Sequence, residues 1–187
     1  MRRSIAALAA VLAVGITSFA PAAAAKPESR PVDLRLVLTG ETVSDSFLTG
    51  NDKWFHVNDV QIEVAIFGIF GGEEVIGTGD AGGKSHTSVP EDPSLPPGVG
   101  DQGWAHVKPA IASLVTVATG ETITCEGWFH IKRTPTNDPF PFAYEDGSTK
   151  WKCSDGRRVD ATVNGHFEVD PASGVPVFVL IVTGFVR

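Results

Sequence analysis

Three short segments of this chain set an indole two residues before an imidazole: Trp54 and His56, Trp104 and His106, Trp128 and His130. On an extended chain, residues i and i+2 project from one face. Each segment therefore offers a flat aromatic ring beside a nitrogen that can donate or accept a hydrogen bond. Three kinds of chemistry use that pairing. Indoles stack on sugar rings or other flat partners while His and nearby acids supply hydrogen bonds, which makes a ligand platform. Imidazoles bind a metal, provided the fold brings His56, His106 and His130 together. Rings of this kind also pack beneath loops or an opposing half as plain structure, the commonest fate of large aromatics. On the first reading all six residues are candidate ligand-binding groups. No spacing in the chain calls for a resident metal or a cofactor.

Other catalytic patterns break down on inspection. Gly82-Gly83-Lys84-Ser85 resembles the end of a phosphate-binding loop, but position 78 is Thr and Pro90 stands where a helix should follow. It reads as a Gly-rich turn. His166-Phe167-Glu168 opens like a deaminase signature without the downstream Pro-Cys-x-x-Cys. No Gly-x-Ser-x-Gly elbow and no His-Glu-x-x-His pair occurs.

The start of the chain speaks to where the protein works. Arg2-Arg3, an apolar stretch from Ile5 to Phe19 and the small residues Ala22 to Ala25 make residues 1–25 read as a secretory signal. Cleavage falls after Ala25 or one or two residues earlier. The apolar run Val175–Val186 holds Pro176 and Gly184 and is too short for a helical span. The mature chain is thus expected to be secreted, with no membrane span. Without Arg2 and Arg3 it carries thirteen Lys and Arg against twenty-two Asp and Glu, a formal charge of −9. That surface disfavours nucleic acid as a partner. Cys125 and Cys153 are the only cysteines, and in an oxidising compartment they are expected to form a disulfide worth about 3 kcal/mol.

The elements that must hold the six rings are strands. Leu34, Leu36 and Leu38 alternate with Asp33, Arg35 and Val37; Val60, Ile62, Val64 and Ile66 alternate with Gln61, Glu63 and Ala65. Ile123, Cys125, Phe129 and Ile131 do the same against Glu126, Trp128, His130 and Lys132. Period two with one apolar face is the habit of antiparallel sheets. The apolar phase jumps between Val57 and Val60, which predicts a two-residue hairpin at Asn58-Asp59. Across Asn164-Gly165 the phase holds, predicting one strand with a kink or bulge at Gly165 and the real turn at Asp170–Gly174.

The expected fold is one all-β domain over residues 32–187, after a short linker at 26–31. It should be an antiparallel sandwich or barrel of eight to ten strands. The echo of Thr39-Gly40-Glu41-Thr42 in Thr119-Gly120-Glu121-Thr122, each followed by a Trp-Phe-His cluster, suggests two related halves. Residues 85–103, rich in Pro and Gly, would form the loop between them. Closure into a barrel would turn the Trp and His face toward the lumen, whereas a sandwich would leave it outside or under loops. In function this reads as a secreted, non-enzymatic binding or interaction domain. Its Trp/His face would take a carbohydrate, another small ligand or an extracellular protein. The alternative is an extracellular enzyme of cyclase or hydrolase type working on the same face.

Overall fold

The computed structural model describes residues 28–49, 54–88, 103–135 and 142–187; the segment 1–25 read above as a secretory signal, the middle of the Pro-rich connector and the side chains of 43–49, 54–55, 133–135 and 142–144 lie outside the described residues. Eight strands succeed one another: β1 (Arg30–Thr49), β2 (Trp54–Phe70), β3 (Glu73–Ser88), β4 (Gly103–Thr116), β5 (Thr122–Pro135), β6 (Phe142–Cys153), β7 (Arg158–Val169) and β8 (Pro176–Val186). Each pairs antiparallel with the next. Finally β8 returns to β1, from Arg30↔Val186 to Val37↔Val179, so the sheet closes into an up-and-down barrel. The antiparallel all-β architecture is a barrel rather than a sandwich.

Closure decides which face turns inward. Eight strands enclose a space just wide enough for side chains, and the apolar phase claims it. Leu34, Ile66, Leu114, Val163 and Val182 are fully buried there. Phe129 and Trp151 meet edge-on at 5.6 Å between ring centroids. Two large rings at one level need small neighbours, and Gly79, Ala81, Ala110 and Ala112 line that stretch, leaving a cavity of about 20 Å³. Gly127 serves the same packing, since a Cβ there would run into the Lys150 carbonyl and the Trp151 ring. The polarity is the reverse of a lipid-embedded barrel, whose lumen is polar and whose outer wall is apolar. Here Lys150, Lys152, Arg158 and Asp160 stand on the outside.

The lower end is closed by Phe70, which is fully buried beneath the Arg157 guanidinium, 4.8 Å from its ring centroid. Beside it, Gly71-Gly72 makes the β2–β3 turn with φ of +65° and +87°. Positive φ at both central residues is what the tightest hairpin requires. Cys125 and Cys153 oppose each other directly on β5 and β6, buried on the lumen side, and form the expected disulfide.

Several expectations need correction. Asn58-Asp59 is not a hairpin: β2 runs through it, and the β2–β3 register shifts between Val57 and Val60. A bulge of two residues restores the inward phase as well as a reversal of the chain would. A second such bulge lies on β4 between Val107 and Ala110. Gly82-Gly83-Lys84-Ser85 is strand, not turn, because β3 continues to Ser88, four residues into the expected 85–103 loop, and β4 resumes at Gly103. The strands begin at Arg30, two residues earlier than the domain boundary placed at 32. Barrel closure leaves the Trp and His face outside, since the lumen is already filled. Nor is the sequence echo an echo of topology. Thr39–Thr42 lies inside β1, whereas Thr119–Thr122 spans the β4–β5 turn and the start of β5. Asn164-Gly165 does lie within one strand, β7, and the chain turns at Asp170–Gly174, held by hydrogen bonds from Ala172 N and Ser173 Oγ to the Asp170 carboxylate. The bulge beside Gly165 belongs to its partner strand β6, between Tyr144 and Gly147.

On the outer wall a strap crosses β8. Arg35 of β1 donates two hydrogen bonds, of 2.7 and 2.6 Å, to the Glu168 carboxylate of β7, which also meets His166 Nε2 at 2.7 Å. Between these strands Val179 of β8 points outward, paired with Val37 and His166, yet it is fully buried. The Arg35 guanidinium is the main reason that the Glu168 carboxyl is held down at about 2, with His166 adding to it against the opposing effect of burial. A carboxylate of depressed pKa stabilises the fold above its unfolded value near 4.5, and that contribution disappears as pH falls through about 2. Both side chains are one-third exposed or more, so solvent screening limits the pair to about 1 kcal/mol.

Two outcomes follow for urea denaturation. Gly127→Ala should destabilise by about 3 kcal/mol, as overpacking against backbone does; a loss below about 0.5 kcal/mol would show that β6 simply moves aside. Arg35→Ala should remove about 1 kcal/mol at pH 7 and shrink the fall in stability between pH 5 and pH 2. An unchanged acid dependence would show that the strap is not its source.

Candidate functional site

The upper halves of β2 to β5 carry the rings. Cross-strand register sets them in order: His56 opposite His86, His86 opposite Trp104, and one step further along the strands His106 opposite His130. The bulges at Asn58-Asp59 and at Lys108-Pro109 lie immediately below. They switch the outward phase so that even-numbered His56, Trp104 and His106 face out above them, while Gln61, Glu63 and Ile111 face out below. Without those extra residues, outward-facing rings above would demand inward-facing charges below.

The rings form one connected band. Centroid distances run 4.0 Å from His56 to His86, 5.8 Å to Trp104, 6.4 Å to His130, 6.1 Å to His106 and 6.2 Å to Trp128. Trp104 and His130 lie within 28° of parallel, and so do His106 and Trp128 within 29°. These are offset stacked contacts of the kind aromatic quadrupoles favour. Trp104 is 39% exposed, His106 is exposed, and Trp128, His130, His56 and His86 are half-buried. Among the described residues the band thus lies along the outer wall, with Trp104 and His106 its most exposed members.

Five of the six expected residues meet here. The sixth, Trp54, opens β2 opposite Ser88, with its side chain outside the described residues. His86 joins them, a residue that the sequence reading assigned to the connector; its outward phase with Lys84 and Asp80 was the signal that could have found it. The three histidines weighed as metal ligands do not make a metal centre, and among the described residues no group of three or more His, Cys, Asp or Glu is arranged to hold one.

Charge is unevenly spread around the band. Lys84 lies directly opposite His106, Lys132 opposite Trp104 and Lys150 opposite Trp128. Lys150 also reaches Asp160 at 3.8 Å. Carboxylates appear one step lower on the wall, as Glu63, Asp80 and Glu126. The chain matches no family model, and no curated protein or solved structure shows detectable similarity to it.

The His86 imidazole titrates below its ordinary 6.5, first because it is buried among these neighbours and then because the His56 ring would repel a second positive charge. By NMR its midpoint should lie below 6.5 and rise part of the way back in His56→Ala. A midpoint at or above 6.5 in the unaltered protein would contradict the packing described.

Proposed function

We propose that this chain is an exported, non-enzymatic binding domain whose site is the outer Trp/His band, a stacking platform for carbohydrate. The observation that carries this reading is the unbroken run of six rings across four strands of the outer wall, with Trp104 and His106 exposed to solvent. Aromatic surface left in water is unfavourable by about 25 cal/mol per Å², and a partner with a flat apolar face relieves it. Sugar rings offer such faces together with hydroxyls that the imidazole nitrogens can engage. The lumen is not a competing site, because its cavity of about 20 Å³ has room for little more than one water. The disulfide and the signal-like segment 1–25 support work outside the cell.

Trp104 and Trp128 supply the indole surface of the band, and the two should act together. Titration of the mature protein with a panel of oligosaccharides, followed by indole and imidazole NMR signals, should move Trp104, Trp128, His106 and His130 and leave the buried Trp151 in place. Trp104→Ala and Trp128→Ala should each weaken binding at least about tenfold, the equivalent of about 1.4 kcal/mol and within the range of one stacked ring. Ligands that bind both variants as tightly as the unaltered protein would remove the band as the site.

A further inference from the structure

Building on the platform reading, the geometry points to an acidic polysaccharide, with a carboxylate on its sugar rings, as the ligand class of the band. The protein as a whole is acidic, with a formal charge of −7 for the full chain. Yet three of the residues paired across the ladder with its rings are basic. Lys84, Lys132 and Lys150 stand directly across the ladder from His106, Trp104 and Trp128. Lys108 is exposed at the bulge two residues after His106. These four lysines come from four adjacent strands, β3 to β6, the same stretch of wall that carries Trp104 and Trp128. These lysines are the cross-strand neighbours of the rings, with carboxylates interleaved among them, Glu145 opposite Lys132 and Glu126 two residues before Trp128, and that spacing suits an anion of sparse charge.

The shape narrows the choice. From β2 to β5 the band spans three strand spacings along the outer wall, roughly 14 Å. A segment of polymer lying across the strands fits such a wall. Its charge must be sparse, however. Glu63, Asp80 and Glu126 border the band below, and Asp160 lies beside Lys150. A nucleic acid, with a charge every few ångströms, would bring phosphates onto those carboxylates. A uronate polymer has one carboxylate per ring, set at the ring edge, and leaves the sugar face free to stack. In that arrangement indole meets the ring face while ammonium meets the carboxylate beside it.

The test uses the mature protein with oligogalacturonate, the same oligomers methyl-esterified, and single-stranded DNA of similar length. Binding is read by calorimetry and by the NMR signals of His106, His130 and Trp128. Oligogalacturonate should bind about tenfold tighter than its ester, and the double variant Lys84→Ala/Lys132→Ala should erase that difference, while Arg30→Ala at the lower rim preserves it. Raising salt should weaken the acid form and not the ester. If the ester binds as tightly as the acid, or the double variant keeps the preference, the anionic ligand is wrong and the stacking platform stands. DNA binding tighter than the uronate would also overturn it, in favour of a polyphosphate. Should neither sugar form move the band signals, the platform reading itself fails.

Discussion

The pairing of β8 with β1 is the constraint on which the rest depends. It joins the last strand to the first over eight consecutive residue pairs and so fixes the number of strands, the width of the lumen and the sense of inside and outside. An open sheet of these eight strands would have two faces of comparable standing. Once it is closed, one face is sealed in a space that side chains fill, and the other becomes the whole surface. The placement of Phe129 and Trp151 inside, and of Trp104 and Trp128 outside, is a consequence of that closure and of one residue of phase. The same pairing covers the edge of β8, whose Val-Phe-Val-Leu-Ile-Val run would otherwise be an exposed apolar template for other chains.

Two regimes of wall meet along the bulges. Below them the barrel is built for packing: small residues opposite large rings, a disulfide between adjacent strands and a phenylalanine under a guanidinium. Above them the same strands continue far enough to carry a surface of different character. Each bulge on β2 and β4 resets the outward phase, and the hydrophobic interior passes uninterrupted from one regime to the other. Among the described residues the upper wall is therefore rich in rings and cations, with its charged side chains on the outside.

How much of this could be read from residues alone follows from what alternation encodes. Period two reports which side chains share a face, and it correctly grouped Leu34 with Leu36, Cys125 with Phe129, and the indoles with the imidazoles. It also allowed the strand to run through Asn164-Gly165, against the local turn signal. It does not report which neighbour a strand meets, so the jump at Val57/Val60 fitted a hairpin and a bulge equally, and only the pairing of β2 with both β1 and β3 separates them. His86 was hidden for a related reason. Its stretch of β3 is full of Gly and Ser, whose lack of apolar alternation reads as loop, although Gly83 is there because it packs closely against the β4 backbone. The direction of the Trp/His face was undetermined because phase is relative; the curvature of the sheet makes it absolute.

The first and last strands do more than seal the ring. Arg30 and Val186 are paired at the same rim, with the backbones of Arg158 and Arg187 bonded to each other nearby, while the aromatic wall occupies the opposite half. A short linker could join the start of β1 to the end of β8, and the barrel could be opened instead at the Asp170–Gly174 turn, giving a circular permutant of the eight strands. Attachment to a surface through this rim would likewise leave the aromatic half of the barrel away from the support.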